Sequence, residues 1–274
     1  MLKREGYLFD IFEGKIVKTK PIKEKDVYKI PNNLDHIKLL LLSDTHLASK
    51  YDRLDILRYL YDEADRKDLA KELYSSDGLS LSIYRYNVGG GVNPEHDRVG
   101  DPSRRTESFY YFNEKTGKYE YDFSRDANAQ AMLFEALGQE NSTVDTVILF
   151  ANSPHYSMTV SGHASGGFEK KQSNLPPENY DKFVDYLLTI ADWFVSEGYP
   201  VTYISPINEP QWDWGGEWVG QEGCHYEPEE VAVLMGKFAT EMQKRNTSYK
   251  LSGMETGQLS WDYNDYLFKY FENE

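Results

Sequence analysis

The chain has few of the features that stabilise very small or membrane-bound proteins. Its 274 residues include one cysteine, Cys224, which excludes an internal disulfide and a cysteine-based zinc site. No stretch approaches the roughly 18 consecutive apolar residues of a membrane-spanning helix. Charges interrupt residues 1–14, so we expect no secretion signal within the printed sequence. These absences favour a globular protein that depends on its own apolar core.

Basic residues are also scarce relative to acidic ones. Thirty Lys and Arg stand against 45 Asp and Glu, which leaves a formal charge of −15. Such a charge repels phosphate backbones and anionic lipids, so we expect neither nucleic acid nor a membrane as a partner. The chain is nevertheless 40% hydrophobic and contains 22 Tyr and 5 Trp. That composition is sufficient for a large core and for aromatic surfaces of the kind that bind sugars.

Short apolar runs alternate with longer amphipathic segments from about residue 37 onward, which is typical of repeated βα units around a parallel sheet. The predicted strands cover residues 37–42, 79–86, 146–151, 201–207 and 249–254. The predicted helices cover residues 53–74, 125–137, 179–197, 228–244 and 262–272. Five such units fit an incomplete (β/α)8 TIM barrel, and they fit an open parallel sheet equally well. In both folds the functional residues lie at the carboxyl ends of the strands.

The tripeptide Asn208-Glu209-Pro210 follows the fourth predicted strand, and Trp212 and Trp214 come directly after it. A carboxyl group among indole rings is partly desolvated, which raises its pKa and lets it carry a proton near neutral pH. A general acid needs this property. Because indole rings also match the apolar C–H faces of a sugar, the segment predicts carbohydrate chemistry.

Four segments stand together in the sequence: residues 78–91, which end in Gly89-Gly90-Gly91, residues 150–166, residues 205–226 and residues 253–257. In this order they resemble glycoside hydrolase family 30, particularly its endo-β-1,6-galactanase-like branch. The resemblance runs from about residue 70 to the end of the chain. It implies a (β/α)8 barrel, normally flanked by a small β-sandwich, and retaining hydrolysis of a glycosidic bond.

The resemblance also sets expectations for the whole chain. We expect an atypical segment at residues 1–67 and a partial hydrolase barrel at residues 68–274, without the β-sandwich. A carbohydrate substrate and no cofactor are expected. The family implies a secreted or periplasmic protein, although no signal is visible.

By the same resemblance, Glu209 is the general acid/base, and Asn208 donates a hydrogen bond to the sugar 2-hydroxyl. The residues expected to contact substrate are Arg85, Asn87, Asn152, Tyr156, Asn208, Trp212, Trp214 and Glu255. Arg85 has a second interpretation as a structural arginine paired with a loop acid. Ser157 stands where the family usually has an aromatic residue, so the sugar and its linkage are left open. His163 and His225 are expected to contact ligand or to lie on the surface, and Glu222 is expected to be a loop acid.

A retaining mechanism requires a second carboxylate, about 5 to 5.5 Å from the first, that acts as nucleophile. The family takes it from the seventh barrel strand, and we expect the 65 residues after Glu209 to be too few for that strand. Glu255 ends the fifth predicted strand, and the resemblance gives it a cleft-lining role. We therefore expect the nucleophile to lie outside this chain, and the chain to be weakly active or inactive. A non-catalytic carbohydrate-binding remnant is the alternative.

The first predicted strand ends in Ser43-Asp44-Thr45-His46. This ending is similar to the first motif of calcineurin-like metallophosphoesterases, in which Asp44 and His46 would bind metal. The other motifs of such a site are missing from the sequence, and two ligands do not hold two metals. We therefore expect no metal site, and the phosphoesterase is the least favoured alternative.

Overall fold

The computed structural model describes residues 2–4, 7–12, 15–21, 63–95, 98–99, 104–217, 219–257, 266 and 269. The chain divides into two compact units, Met1–Asp62 and Glu63–Glu274. The first unit contains three antiparallel strands in the order β1-β2-β3: β1 (Leu2–Arg4), β2 (Tyr7–Phe12) and β3 (Lys15–Pro21). The sequence analysis did not predict these strands, because lysines and acidic residues interrupt their apolar residues.

The second unit alternates helices and strands. In chain order its elements are α1 (Glu63–Tyr74), β4 (Ile83–Asn87), β5 (Tyr110–Asn113), β6 (Lys118–Tyr121), α2 (Ala127–Gly138), β7 (Thr146–Phe150), α3 (Tyr180–Ser196), β8 (Val201–Ser205), α4 (Pro228–Arg245) and β9 (Lys250–Leu251). Four strands form a parallel sheet in the order β4-β7-β8-β9. The predicted α/β class with a parallel sheet is confirmed. Within the described part of the chain the sheet is not closed into a barrel.

The helices form where the sequence supplies an apolar stripe and end signals. Helix α3 buries Phe183, Leu187, Ile190 and Phe194, which recur at the spacing of one helical face. Helix α4 begins with Pro228 and a capping box between Glu227 and Glu230, and it ends at Asn246 in a left-handed conformation. None of the described helices is long and apolar enough to cross a membrane.

The sheet strands are shorter than predicted, and some predicted elements lie outside the described residues. Strand β9 covers two residues instead of 249–254. Pairing then resumes beyond the strands, because Glu255 N donates to Ile207 O at 2.9 Å and Asn208 bridges Glu255. The predicted strand at 37–42 and the first part of the predicted helix at 53–74 are not described. Of the predicted helix at 262–272, only Tyr266 and Lys269 are described.

The hairpin of β5 and β6 was missed in the sequence. Its register pairs Tyr110 with Tyr121 and Phe112 with Tyr119, so one face carries four aromatic rings. This face packs on the fully buried Tyr186 of α3, with ring centroids 6.0 Å from Tyr110 and 6.4 Å from Tyr121. The alternation of charged and aromatic residues over 118–121, directly after the turn at Gly117, was the available signal.

Candidate active site

The carboxyl ends of the parallel strands bring together most of the predicted site residues. Arg85 and Asn87 lie at the end of β4, Asn152 follows β7, Asn208 follows β8 and Glu255 follows β9. Parallel pairing places all these ends at one edge of the sheet. We call this edge, with the loops that follow the strands, the rim. The side chains meet at the carboxyl ends of the strands, as predicted.

Arg85 is the centre of a hydrogen-bonded cluster. Its Nη2 donates to Asn208 Oδ1 at 2.8 Å and forms an ion pair with Glu255 Oε2. Its guanidinium lies over the ring of Phe150, 3.4 Å from the ring centroid. The structure confirms that Arg85 pairs with a loop acid, and its contact with substrate stays a prediction. The side chains of Arg85 and Glu255 keep 29% and 31% of their surface exposed, so a ligand can reach them.

The orientation of the Asn208 amide follows from its partners. Arg85 has only donors, so the atom it contacts must be the amide oxygen. The amide nitrogen of Asn208 donates to Asn152 Oδ1 at 3.0 Å. An amide nitrogen carries two hydrogens, and Asn152 engages one of them. The other is available for a sugar hydroxyl, in keeping with the donor role that the resemblance implies.

The backbone of Glu209 is held in a left-handed conformation with φ of 49°. This conformation costs a residue with a side chain about 1–2 kcal/mol. Glu209 N donates to Glu255 O at 2.7 Å, and Glu209 O accepts from Trp214 Nε1 at 2.8 Å. These bonds fix the backbone of the predicted general acid/base from two sides. A strained residue held in this way is common at active sites.

Trp212 and Trp214 lie beside Glu209 and also stabilise its backbone. Trp212 N donates to Glu209 O at 3.2 Å. A Cβ placed on Gly223 would lie 2.3 Å from the Trp214 ring, and one on Gly257 would lie 2.0 Å from Trp212 Nε1. Each indole is therefore packed closely against a glycine backbone. Both indoles remain partly exposed.

Asn87 and Tyr156 take no part in the Arg85 cluster. Asn87 Nδ2 donates to Thr106 Oγ1 at 3.1 Å, and its Oδ1 has no hydrogen-bond partner among the described residues. Tyr156 is buried in a short 3-10 helix, where its ring lies 4.3 Å from that of His155 and 6.3 Å from that of Tyr119. Its position is that of a packing residue rather than of an exposed sugar contact.

The rim loops bury polar residues that the sequence analysis expected at the surface. His163 and His225 are both buried, so a surface position is wrong for them. Glu222 retains only 2% of its surface, and its Oε1 accepts from Gly90 N at 3.0 Å. Burial raises the pKa of Glu222 well above its ordinary value. The reason for the misses is that the loops after β7 and β8 pair with one another, for example at Ser165 with Gly223.

A small cavity of about 10 Å³ lies beside Glu222. Glu222 Oε2, Ser165 Oγ and Arg98 Nε belong to residues that line it, and none of these atoms has a hydrogen-bond partner within the described ranges. A cavity of this volume holds at most one water molecule. Asp44 and His46 lie outside the described residues, and the part that is described holds no group of three metal-binding side chains.

Comparison with known proteins identifies the family. The model of O-glycosyl hydrolase family 30 matches residues 57–268. An endo-β-1,6-galactanase of Hypocrea rufa is 27% identical over 205 residues, and the match covers 67% of this chain and 42% of that protein. An exo-β-1,6-galactobiohydrolase of Bifidobacterium longum is 28% identical over 185 residues, covering 57% of this chain and 12% of that protein. The chain thus spans less than half the length of these relatives.

Solved structures show the same fold relationship. A conserved exported protein from Bacteroides fragilis superposes with a TM-score of 0.65 at 25% identity, covering 75% of this chain and 43% of that one. The catalytic domain of the GH30 xylanase C from Talaromyces cellulolyticus superposes with a TM-score of 0.53 at 13% identity, covering 76% and 45%. With the family model matching most of its length, the chain belongs to O-glycosyl hydrolase family 30.

Proposed function

We propose that this chain supplies the general acid/base and the sugar-binding groups of a retaining glycosidase site for a β-1,6-linked galactan. The observation that carries the proposal is the meeting of Arg85, Asn208 and Glu255 at one sheet edge, next to Glu209. The two relatives, an endo-β-1,6-galactanase and an exo-β-1,6-galactobiohydrolase, both act on β-1,6-linked galactose, which supports the substrate class. We also propose that the four-stranded sheet is part of a (β/α)8 barrel, which the xylanase comparison supports.

The cluster suits recognition of a sugar ring. Arg85 and the second Nδ2 hydrogen of Asn208 offer donors, whereas the carboxylate of Glu255 offers acceptors. Sugar hydroxyls donate and accept at once, so a mixed set of this kind matches them better than it matches a phosphate. The rings of Trp212 and Trp214 supply apolar surface for the C–H faces.

In the proposed chemistry, a nucleophilic carboxylate attacks the anomeric carbon while Glu209 gives its proton to the glycosidic oxygen, so that the leaving sugar departs as an alcohol and a glycosyl ester forms. The carboxylate of Glu209 then takes a proton from the water that attacks the anomeric carbon and releases the nucleophile. No nucleophile is assigned to any residue of this sequence, because Glu255 is engaged with Arg85 and the resemblance gives it a lining role. The 274-residue chain is therefore expected to bind substrate and to turn it over slowly or not at all.

Calorimetric binding of β-1,6-galacto-oligosaccharides to the purified chain tests the proposal. We expect the wild type to bind. We expect an affinity loss of about tenfold in Asn208→Ala, because the proposed bond to the sugar disappears together with the bonds to Arg85 and Asn152. The control Glu178→Gln should bind like the wild type. Glu178 is an exposed acid in the short 3-10 helix Pro177–Asn179 that precedes α3. Failure to bind, or equal binding of β-1,4-xylan, would overturn the substrate class. Rapid hydrolysis that disappears in Glu209→Gln would show that a nucleophile is present.

A further inference from the structure

The loop after β7 carries a short segment, residues 166–172, that we name the rim strap. It lies against residues 213–216, which directly follow Trp212. Gly167 pairs with Gly215, and Gly216 N donates to Gly167 O at 3.2 Å. At the far end of the strap, Lys171 Nζ lies 3.4 Å from Asp213 Oδ1. The strap is thus joined to the Trp-bearing loop at both of its ends.

Arg98 fixes the strap from a third loop. Its Nη2 donates to Gly166 O at 2.6 Å, and its Nη1 donates to Gly216 O at 2.9 Å. Both nitrogens also donate to Gly167 O at 3.1 Å. One guanidinium therefore holds the carbonyl groups of both segments together, a task that its planar fork of donors suits. A strap held in this way has a fixed backbone.

The strap exposes the phenyl ring of Phe168 to solvent, in a segment that pairs with the Trp-bearing loop. Phe168 keeps 56% of its surface exposed, although it is flanked by fixed backbone. A Cβ on Gly215 would lie 2.8 Å from Gly167 O and 2.3 Å from Glu169 O, so the backbone on both sides of Phe168 contacts Gly215. Trp214 directly precedes Gly215 in the chain, and its indole Nε1 donates to Glu209 O. The exposed ring is therefore one loop contact away from the segment of the predicted acid/base.

We propose that Phe168 is a specificity-determining residue that stacks against a sugar unit of the galactan chain at least two units beyond the one held by Arg85 and Asn208. This inference rests on the proposed function of the same rim. A phenyl ring on a fixed backbone has only its two side-chain torsions to lose when a sugar packs on it, and the C–H face of galactose is apolar. The ring has no hydrogen-bonding group, so it selects for length and shape of the chain rather than for a single hydroxyl. Arg98 acts through the strap as a positioning residue.

The test measures affinity against chain length with β-1,6-galactobiose, galactotriose and galactotetraose. In Phe168→Ala we expect an affinity loss of about three- to tenfold for the longer oligosaccharides and none for the disaccharide. Phe168→Tyr keeps the aromatic face and should bind like the wild type. The matched control is Phe134→Ala, which removes an equally exposed phenyl ring, 63% exposed, from helix α2.

Arg98→Lys provides an independent arm, because it keeps the charge and removes the fork that holds the strap. We expect it to weaken binding of the longer oligosaccharides and to spare the disaccharide. Equal affinity of wild type and Phe168→Ala at every length would overturn the inference while leaving the proposed function standing. A wild type that binds none of the oligosaccharides would overturn the proposed function itself. A loss in Phe168→Ala that is the same for all lengths would also contradict a remote role.

Discussion

Two glutamates of the same rim have opposite surroundings. Glu255 is partly exposed and forms an ion pair with Arg85, whereas Glu222 is buried and accepts a hydrogen bond from the backbone of Gly90. A guanidinium that forms an ion pair stabilises a charged carboxylate, whereas burial favours the neutral form of a carboxyl group. One carboxyl group is thus open to solvent and paired with a cation, whereas the other joins two loops. Residue type alone does not separate these tasks.

Removing Glu222 is the largest change that this comparison predicts. In Glu222→Ala the amide of Gly90 loses its acceptor and the neighbouring cavity grows, so we expect a loss of about 2–3 kcal/mol in the free energy of unfolding. Urea denaturation measures it. Glu222→Gln keeps the acceptor and is expected to stay within about 1 kcal/mol of the wild type at pH 5.

The same pair of variants tests the neutral state of Glu222. Its folded-state pKa is raised above that of the unfolded chain, so wild-type stability falls as the pH rises above the unfolded value of about 4.3. A glutamine does not titrate. Glu222→Gln should therefore gain on the wild type as the pH rises from 5 to 8, and a constant difference over that range would show that Glu222 is ionised in the fold.

Changing Arg85 is expected to affect binding more than stability. Arg85→Lys keeps a charge but removes the planar group that lies on Phe150 and reaches both Asn208 and Glu255. We expect about tenfold weaker binding of galacto-oligosaccharides by calorimetry, with a melting temperature close to that of the wild type. Arg125→Lys is the matched control, since Arg125 pairs with Glu107 away from the cluster. A fall in melting temperature without a loss of affinity would make Arg85 a structural residue.

A third carboxyl group, that of Asp126 at the N-terminus of α2, extends the comparison. Burial raises its pKa to about 7, although it accepts a hydrogen bond from Tyr86 OH at 2.6 Å. The unfolded pKa is about 3.9, so the folded state binds more protons between these values, and stability falls as the pH rises from about 4 to 7. Asp126→Asn removes this contribution.

Urea titrations at several pH values test the Asp126 prediction. The difference in unfolding free energy between Asp126→Asn and the wild type should change by at most about 1.4 kcal/mol per pH unit. His155 acts in the opposite direction, because burial lowers its pKa to about 3. The difference between variant and wild type, rather than the wild-type curve alone, is therefore the quantity to compare. A difference independent of pH would contradict the raised pKa.

The sequence was sufficient to predict the parallel sheet and the position of the rim, because strands β7 and β8 are short apolar runs and helix α3 has a clear helical periodicity. It was also sufficient for the gathering of Arg85, Asn208 and Glu255, since residues after parallel strands share one edge. The burial of Glu222 and His163 could not be predicted. It depends on long loops that pack on one another, and such packing leaves no periodic pattern in the sequence.

The left-handed backbone at Glu209 has a consequence for how the chain balances stability against function. Glycine adopts this conformation without steric cost, and asparagine tolerates it better than glutamate does. Glu209→Gly is therefore expected to raise the free energy of unfolding by about 1 kcal/mol while removing the group proposed to donate the proton. Glutamate at this position therefore costs the fold stability, and a melting experiment on Glu209→Gly would measure that cost.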